Sequence, residues 1–204
     1  MQSDPCQSRF GIFERSITMK TRDTEVVLRN KNILRIALVV AFILLLPLVA
    51  MQFVDGAHWS PADFILAGAV LFGVGVAFEL ITRKVENGAY RAGVGLALGT
   101  GLFLAWVNLA VGIIGSEDNP INALYFGVLA VCFIGALIAQ LRPAGMAGVM
   151  FATALAHALV TAVGLIVQQN PAVLQILLLN GFFVGLWVAA ALLFRSASTT
   201  QRTA

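Results

Sequence analysis

Residues 171–194 read PAVLQILLLNGFFVGLWVAAALLF, twenty-four positions without a single Lys, Arg, His, Asp or Glu. As a helix rising about 1.5 Å per residue this run measures roughly 36 Å, enough to cross a hydrocarbon core of about 30 Å. Strands of a membrane barrel would alternate polar and apolar side chains, and this run does not. With no water at that depth, the backbone satisfies its own hydrogen bonds only as a helix. The stretch therefore reads as a transmembrane helix.

Working back towards the N-terminus, five more stretches meet the same test: Ile33 to Val54, Pro61 to Thr82, Ala92 to Gly115, Pro120 to Leu141 and Ala144 to Gln168. The expected fold is all-α, a polytopic bundle of six transmembrane helices in up-down hairpins. The short loops make sequential helices antiparallel neighbours. Residues 1–32 form a polar N-terminal tail expected to be disordered, 33–194 the six-helix domain, and 195–204 a C-terminal tail. Composition agrees: 59% of the 204 residues are hydrophobic and 11% charged, with a mean hydropathy of +0.90. Soluble domains carry about 25% charged residues. The first thirty residues lack the early apolar core of a signal peptide. The run Met19-Lys20-Thr21-Arg22 looks like a natural start, so Met19 rather than Met1 is the expected initiator.

The net charge of +3 does not imply nucleic acid, because the basic residues are sorted by position. Arg9, Arg15, Lys20, Arg22, Arg29, Lys31 and Arg35 precede or open the first span. Arg83, Lys84 and Arg91 follow the second, Arg142 the fourth, and Arg195 and Arg202 the sixth. The three alternate loops hold Asp55, His58, Glu117, Asp118 and Gln169, with no Lys or Arg. Positive residues stay in the cytoplasm, so both termini are expected inside. Ser60-Pro61, Asn119-Pro120 and Asn170-Pro171 each open an even-numbered span. A polar cap accepts from an orphan N–H, and proline at the first helical position needs no acceptor. Asp63, three residues after Ser60, completes a capping box.

Small residues recur at helical spacing. Span three carries Ala97, Gly101, Ala105, Asn108, Gly112 and Gly115, with Gly95 and Gly99 as a second pair; span two has Gly68 and Gly75, and span six Gly181-x-x-x-Gly185. Small faces let helices approach closely in lipid. Spans two, three and six are therefore expected at the centre, with one and five more exposed to lipid, although His157 argues against full exposure of span five. Pro47 is expected to kink span one as a packing feature.

Ionisable and polar groups at membrane depth are the candidates for function. His157 lies mid-span, with Thr153 and Thr161 one turn either side on the same face. Imidazole can carry protons or bind a cation; the plainer reading is a neutral histidine hydrogen-bonded to a neighbouring helix. Asn108 and Asn180 read first as helix cross-links. Should both face His157, the three would form one polar cluster. Glu79, one turn from Arg83, reads as half of an interfacial ion pair. Glu117 and Asp118 could attract a cation or a partner, although a solvated turn before a helix N-terminus explains them as well. Cys132, within an apolar run, reads as a small hydrophobe, and no disulfide with Cys6 is expected. The chain lacks G-x-x-x-x-G-K, H-E-x-x-H, C-x-x-C and G-x-S-x-G. No cofactor, metal site or enzymatic activity is expected.

The run Asn108-Leu109-Ala110-Val111-Gly112-Ile113-Ile114-Gly115-Ser116-Glu117-Asp118-Asn119-Pro120, with Gly135-Ala136-Leu137-Ile138-Ala139-Gln140-Leu141-Arg142-Pro143, resembles small six-span inner-membrane proteins of bacteria. The resemblance covers most of the spans. It implies a bacterial plasma-membrane location and carries neither a substrate nor site residues. The function expected is that of an accessory or interaction protein of that membrane. Its expected partners are membrane lipids and another membrane protein or a second copy of the chain, not nucleic acid. The alternative is a small transporter or channel subunit with a polar path near His157; a membrane enzyme ranks last.

Overall fold

The computed structural model describes residues 31–53, 59–116, 118–167 and 173–203, with the side chains of 200–203 excepted. The expected start at Met19, Cys6, the Asn170 cap and Glu117 lie outside the described residues. Among the described residues there is no strand, and six helices are long and apolar enough to cross a membrane. They are α1 (Lys31–Phe53), α2 (Pro61–Thr82), α3 (Gly88–Ala110), α4 (Leu124–Ile138, preceded by a 3-10 turn at Pro120–Ala123), α5 (Pro143–Val167) and α6 (Val173–Thr203). The chain is an all-α, multi-pass membrane bundle. It divides into two compact units, Met1–Glu79 and Leu80–Ala204.

In the first unit α1 and α2 form a hairpin. Leu44 and Ile36 of α1 lie against Gly68 and Gly75, the latter so closely that a Cβ there would come within 2.6 Å of Ile36. Ser60 caps α2 as its spacing predicts: Asp63 Oδ2 accepts from the Ser60 N–H (2.8 Å) and hydroxyl (2.9 Å). Trp59, just outside the cap, packs on Phe64, ring centroids 5.2 Å apart, in the staple that often accompanies such a box. Glu79 accepts from the Asn32 side-chain amide across the hairpin (2.7 Å), a partner the Arg83 spacing did not suggest.

In the second unit α6 packs between α5 and α3, and α4 packs on α5. The seams pair large side chains with small ones. Phe194 lies over Gly93, Trp187 over Gly101, and Val149 against Gly135. Dispersion contacts of this kind take the place of a hydrophobic driving force, which lipid does not supply. Trp187, Phe183 and Phe194 are fully buried. One expectation falls short here. Helix α5, expected to be the more lipid-exposed apart from His157, buries a whole stripe, Met146, Ala147, Met150, Thr153, Ala154, His157, Thr161 and Gly164, because that stripe is small enough to accept α4 and α6 closely. Helix α2 buries Thr82. In α6 the close contacts come from aromatic side chains, and a Cβ at Gly181 or Gly185 would meet nothing.

Three helix ends also differ from the expected ones. Helix α3 starts at Gly88, four residues before its expected start, because Asn87 accepts from the Tyr90 N–H (3.0 Å) and supplies an N-cap. It ends at Ala110 rather than near Gly115, for a reason that belongs to the site. Helix α6 continues to Thr203, through most of the stretch read as a tail. Within the second unit Arg83, Lys84, Arg91, Arg142 and Arg195 all belong to the end where α3 and α5 begin and α4 and α6 finish.

Candidate functional site

Three helices bring polar side chains together at depth in the second unit. Asn180, on α6, is oriented by its own amide group, which donates to the Ile176 carbonyl one turn back (2.8 Å). That leaves Oδ1 pointing across the bundle, where it accepts from the Tyr125 hydroxyl on α4 (2.6 Å) and pairs with His157 Nε2 on α5 (3.0 Å). An amide oxygen only accepts, so Nε2 carries the proton and donates. The Tyr125 and Phe183 rings flank the imidazole, at 5.2 Å and 5.7 Å between centroids, Phe183 nearly parallel to it. His157 and Tyr125 are fully buried, and Asn180 is 1% exposed. One side-chain oxygen thus stitches three helices together.

The threonines flanking His157 turn inward to their own helix. Thr161 donates to the His157 carbonyl (2.9 Å) and Thr153 to the Val149 carbonyl (2.9 Å). Both hydroxyls are thereby satisfied within their own helix, the usual fate of Thr in an apolar helix. Cys132 on α4 is a free, partly buried thiol.

Asn108 belongs to a second polar group. Its amide donates to the Asn122 carbonyl (3.0 Å), at the turn into α4. Asn122 in turn organises the whole α3–α4 connection. Its Oδ1 accepts from the N–H groups of Ile113 (3.2 Å) and Ile114 (3.0 Å), and its Nδ2 donates to the carbonyls of Ile114 (3.3 Å) and Ser116 (2.7 Å). Gly112 and Gly115, at φ of 75° and 72°, give the reversals this path needs. Ile113 and Ile114 are turned inward, 4% and 0% exposed, and Ile114 abuts Gly164 of α5. Non-helical backbone this deep survives only where protein buries it and its polar groups are paired. That is why α3 stops at Ala110 although the following residues are as apolar as a helix.

Of the five residues singled out in the spans, the structure joins His157 and Asn180 directly, sets Thr153 and Thr161 beside His157, and assigns Asn108 to the Asn122 clamp. Asp118 is exposed beyond that clamp. Tyr125 and Asn122 were not foreseen as site residues. Three buried polar atoms have no hydrogen-bond partner among the described residues: His157 Nδ1, Asn108 Oδ1 and Trp187 Nε1. Among the described residues no group of three or more His, Cys, Asp or Glu could hold a metal.

Fold and site define a polytopic α-helical membrane protein with a buried, amide-centred cross-link. No protein-family model, curated protein or solved structure matches the chain.

Proposed function

We propose that the chain is an accessory or interaction protein of a bacterial inner membrane, with both termini in the cytoplasm and no catalytic activity of its own. The observation that carries the reading is the state of His157: fully buried, donating to the neighbouring helix's Asn180, and covered on its faces by Tyr125 and Phe183. Used in this way, the most chemically capable residue at depth fixes three helices against one another. The orientation rests on the basic residues, which collect at alternate connections as cytoplasmic loops do. Partners on this reading are lipids and a larger membrane protein, or a second copy of the chain.

A small transporter or channel subunit is the second reading, favoured by one observation: His157 Nδ1 is buried without a partner. Native mass spectrometry after mild detergent extraction from the host separates the two. Co-extraction with a defined membrane protein at fixed stoichiometry is the expected result. A chain that appears alone or only with itself, and that supports solute flux in liposomes, overturns the accessory reading. Reporter fusions at the C-terminus check orientation: green fluorescence with inactive alkaline phosphatase is expected.

A further inference from the structure

The polar groups of the second unit stand in two levels. On α5, His157, Thr161 and Gly164 share one buried stripe at steps of four and three residues. Ile114 abuts Gly164, two turns from His157 towards the α3–α4 connection. Asn122, on the 3-10 turn that clamps that connection, stands three residues before Tyr125 of α4, which belongs to the His157 network. The inturned residues Gly112–Ile114 are thus a plug seated two turns of α5 beyond His157 and latched by the four hydrogen bonds of Asn122. A glycine at positive φ stands on each side of Ile113-Ile114, which lets the backbone reverse at both ends of the plug.

Unpaired acceptors occur at both levels. Asn108 Oδ1 is unpartnered beside the latch, and His157 Nδ1 beneath it; these residues are 4% and 0% exposed. Asn180 fixes the proton of His157 on Nε2, so Nδ1 presents a lone pair to the interior. Trp187 Nε1, two turns along α6 from Asn180, is a buried donor without an acceptor. Buried polar atoms are nearly always satisfied, by protein or by bound water. No carboxylate lies in the network to balance a cation there, and unpaired acceptors call for a donor.

We propose that His157 Nδ1 is the receiving atom of a binding site for a small neutral hydrogen-bond donor, water at rest, which enters and leaves past the Ile113-Ile114 plug when the Asn122 latch opens. The site stands whether the protein serves as an accessory subunit or a transporter, so its failure and theirs are read by different experiments.

The test uses the full-length protein with His58→Gln, which leaves His157 the sole histidine, labelled with nitrogen-15 in the imidazole. Water is the probe. Nδ1 is expected at the chemical shift of a hydrogen-bonded acceptor, with magnetisation transfer from water to the ring. In Asn122→Ala the transfer is expected to be at least about 10-fold faster, since buried hydrogen bonds that hold the plug are gone. Ile114→Ala, which removes the seated side chain and keeps the latch, is expected to move in the same direction and guards against a failure of the first variant to fold. A bare imine shift for Nδ1, no transfer from water, or transfer equally fast in wild type and variants overturns the proposal.

Discussion

The two connections that flank α4 solve the same problem by opposite means. Between α3 and α4 the chain reverses through glycines, and a single side chain, Asn122, gathers the orphaned backbone groups. Between α4 and α5 it reverses through Gln140 and Leu141, two non-glycine residues held at φ of 51° and 57°. There the backbone bonds to itself, with Gln140 N–H donating to the Leu137 carbonyl and Arg142 N–H to that of Ala139. A long-range tie comes from the Tyr90 hydroxyl, which donates to the Leu141 carbonyl (2.6 Å). A left-handed conformation costs a residue with a Cβ about 1 kcal/mol. The first connection is therefore relaxed but dependent on one side chain. The second is strained and steadied by the surrounding helices.

That contrast orders the expected effects of substitution, each measurable by reversible unfolding in mixed detergent. Asn122→Ala orphans two buried N–H groups and two carbonyls and is expected to destabilise the protein by about 3 kcal/mol. Gly112→Ala comes next, at about 2 kcal/mol or more. It adds left-handed strain, and its Cβ would lie 2.6 Å from the Ser116 carbonyl. Tyr90→Phe frees only the Leu141 carbonyl, near polar residues at the bundle end, and should cost about 1 kcal/mol. Gln140→Gly reverses the sign: relief of a strained φ should stabilise the protein by about 0.5 kcal/mol, the entropy of the added glycine offsetting part of the gain. An Asn122→Ala effect smaller than that of Tyr90→Phe would break the comparison. A destabilising Gln140→Gly would show that the second connection is not strained.

The same contrast explains what could be read in advance. Span number and type follow from hydropathy, which is local, and the Ser60–Asp63 cap from a pattern of four residues. The end of α3 does not, because Val111, Ile113 and Ile114 are good transmembrane residues. The chain leaves the helix here because a side chain further along it captures the backbone of Ile113 and Ile114. Asn122 itself read as part of a solvated turn. The burial of α5 was legible only at His157, because its small stripe is interrupted by that residue and two threonines, which suppress the pattern that α3 displays. Within the site, His157 and Asn180 were visible as polar groups at depth. Tyr125 was not, since a tyrosine near a span end resembles an interfacial anchor. Its place one turn after Asn122, at the depth of Asn180, was the available signal. Asn108 was grouped with His157 by depth alone, and depth does not say which neighbour an amide faces.

The central claim is that one amide oxygen, Asn180 Oδ1, joins α4, α5 and α6 through Tyr125 and His157. The most direct test is a double-mutant cycle on His157→Phe and Asn180→Leu, apolar replacements close in volume, read by the same unfolding measurement. If the two residues act as one network, the single substitutions each cost more than their share, because each leaves a buried partner unpaired. The double variant then costs less than their sum, with a coupling of about 1–2 kcal/mol. Additivity within about 0.5 kcal/mol would mean that the pair does not stitch the helices, and would contradict the account.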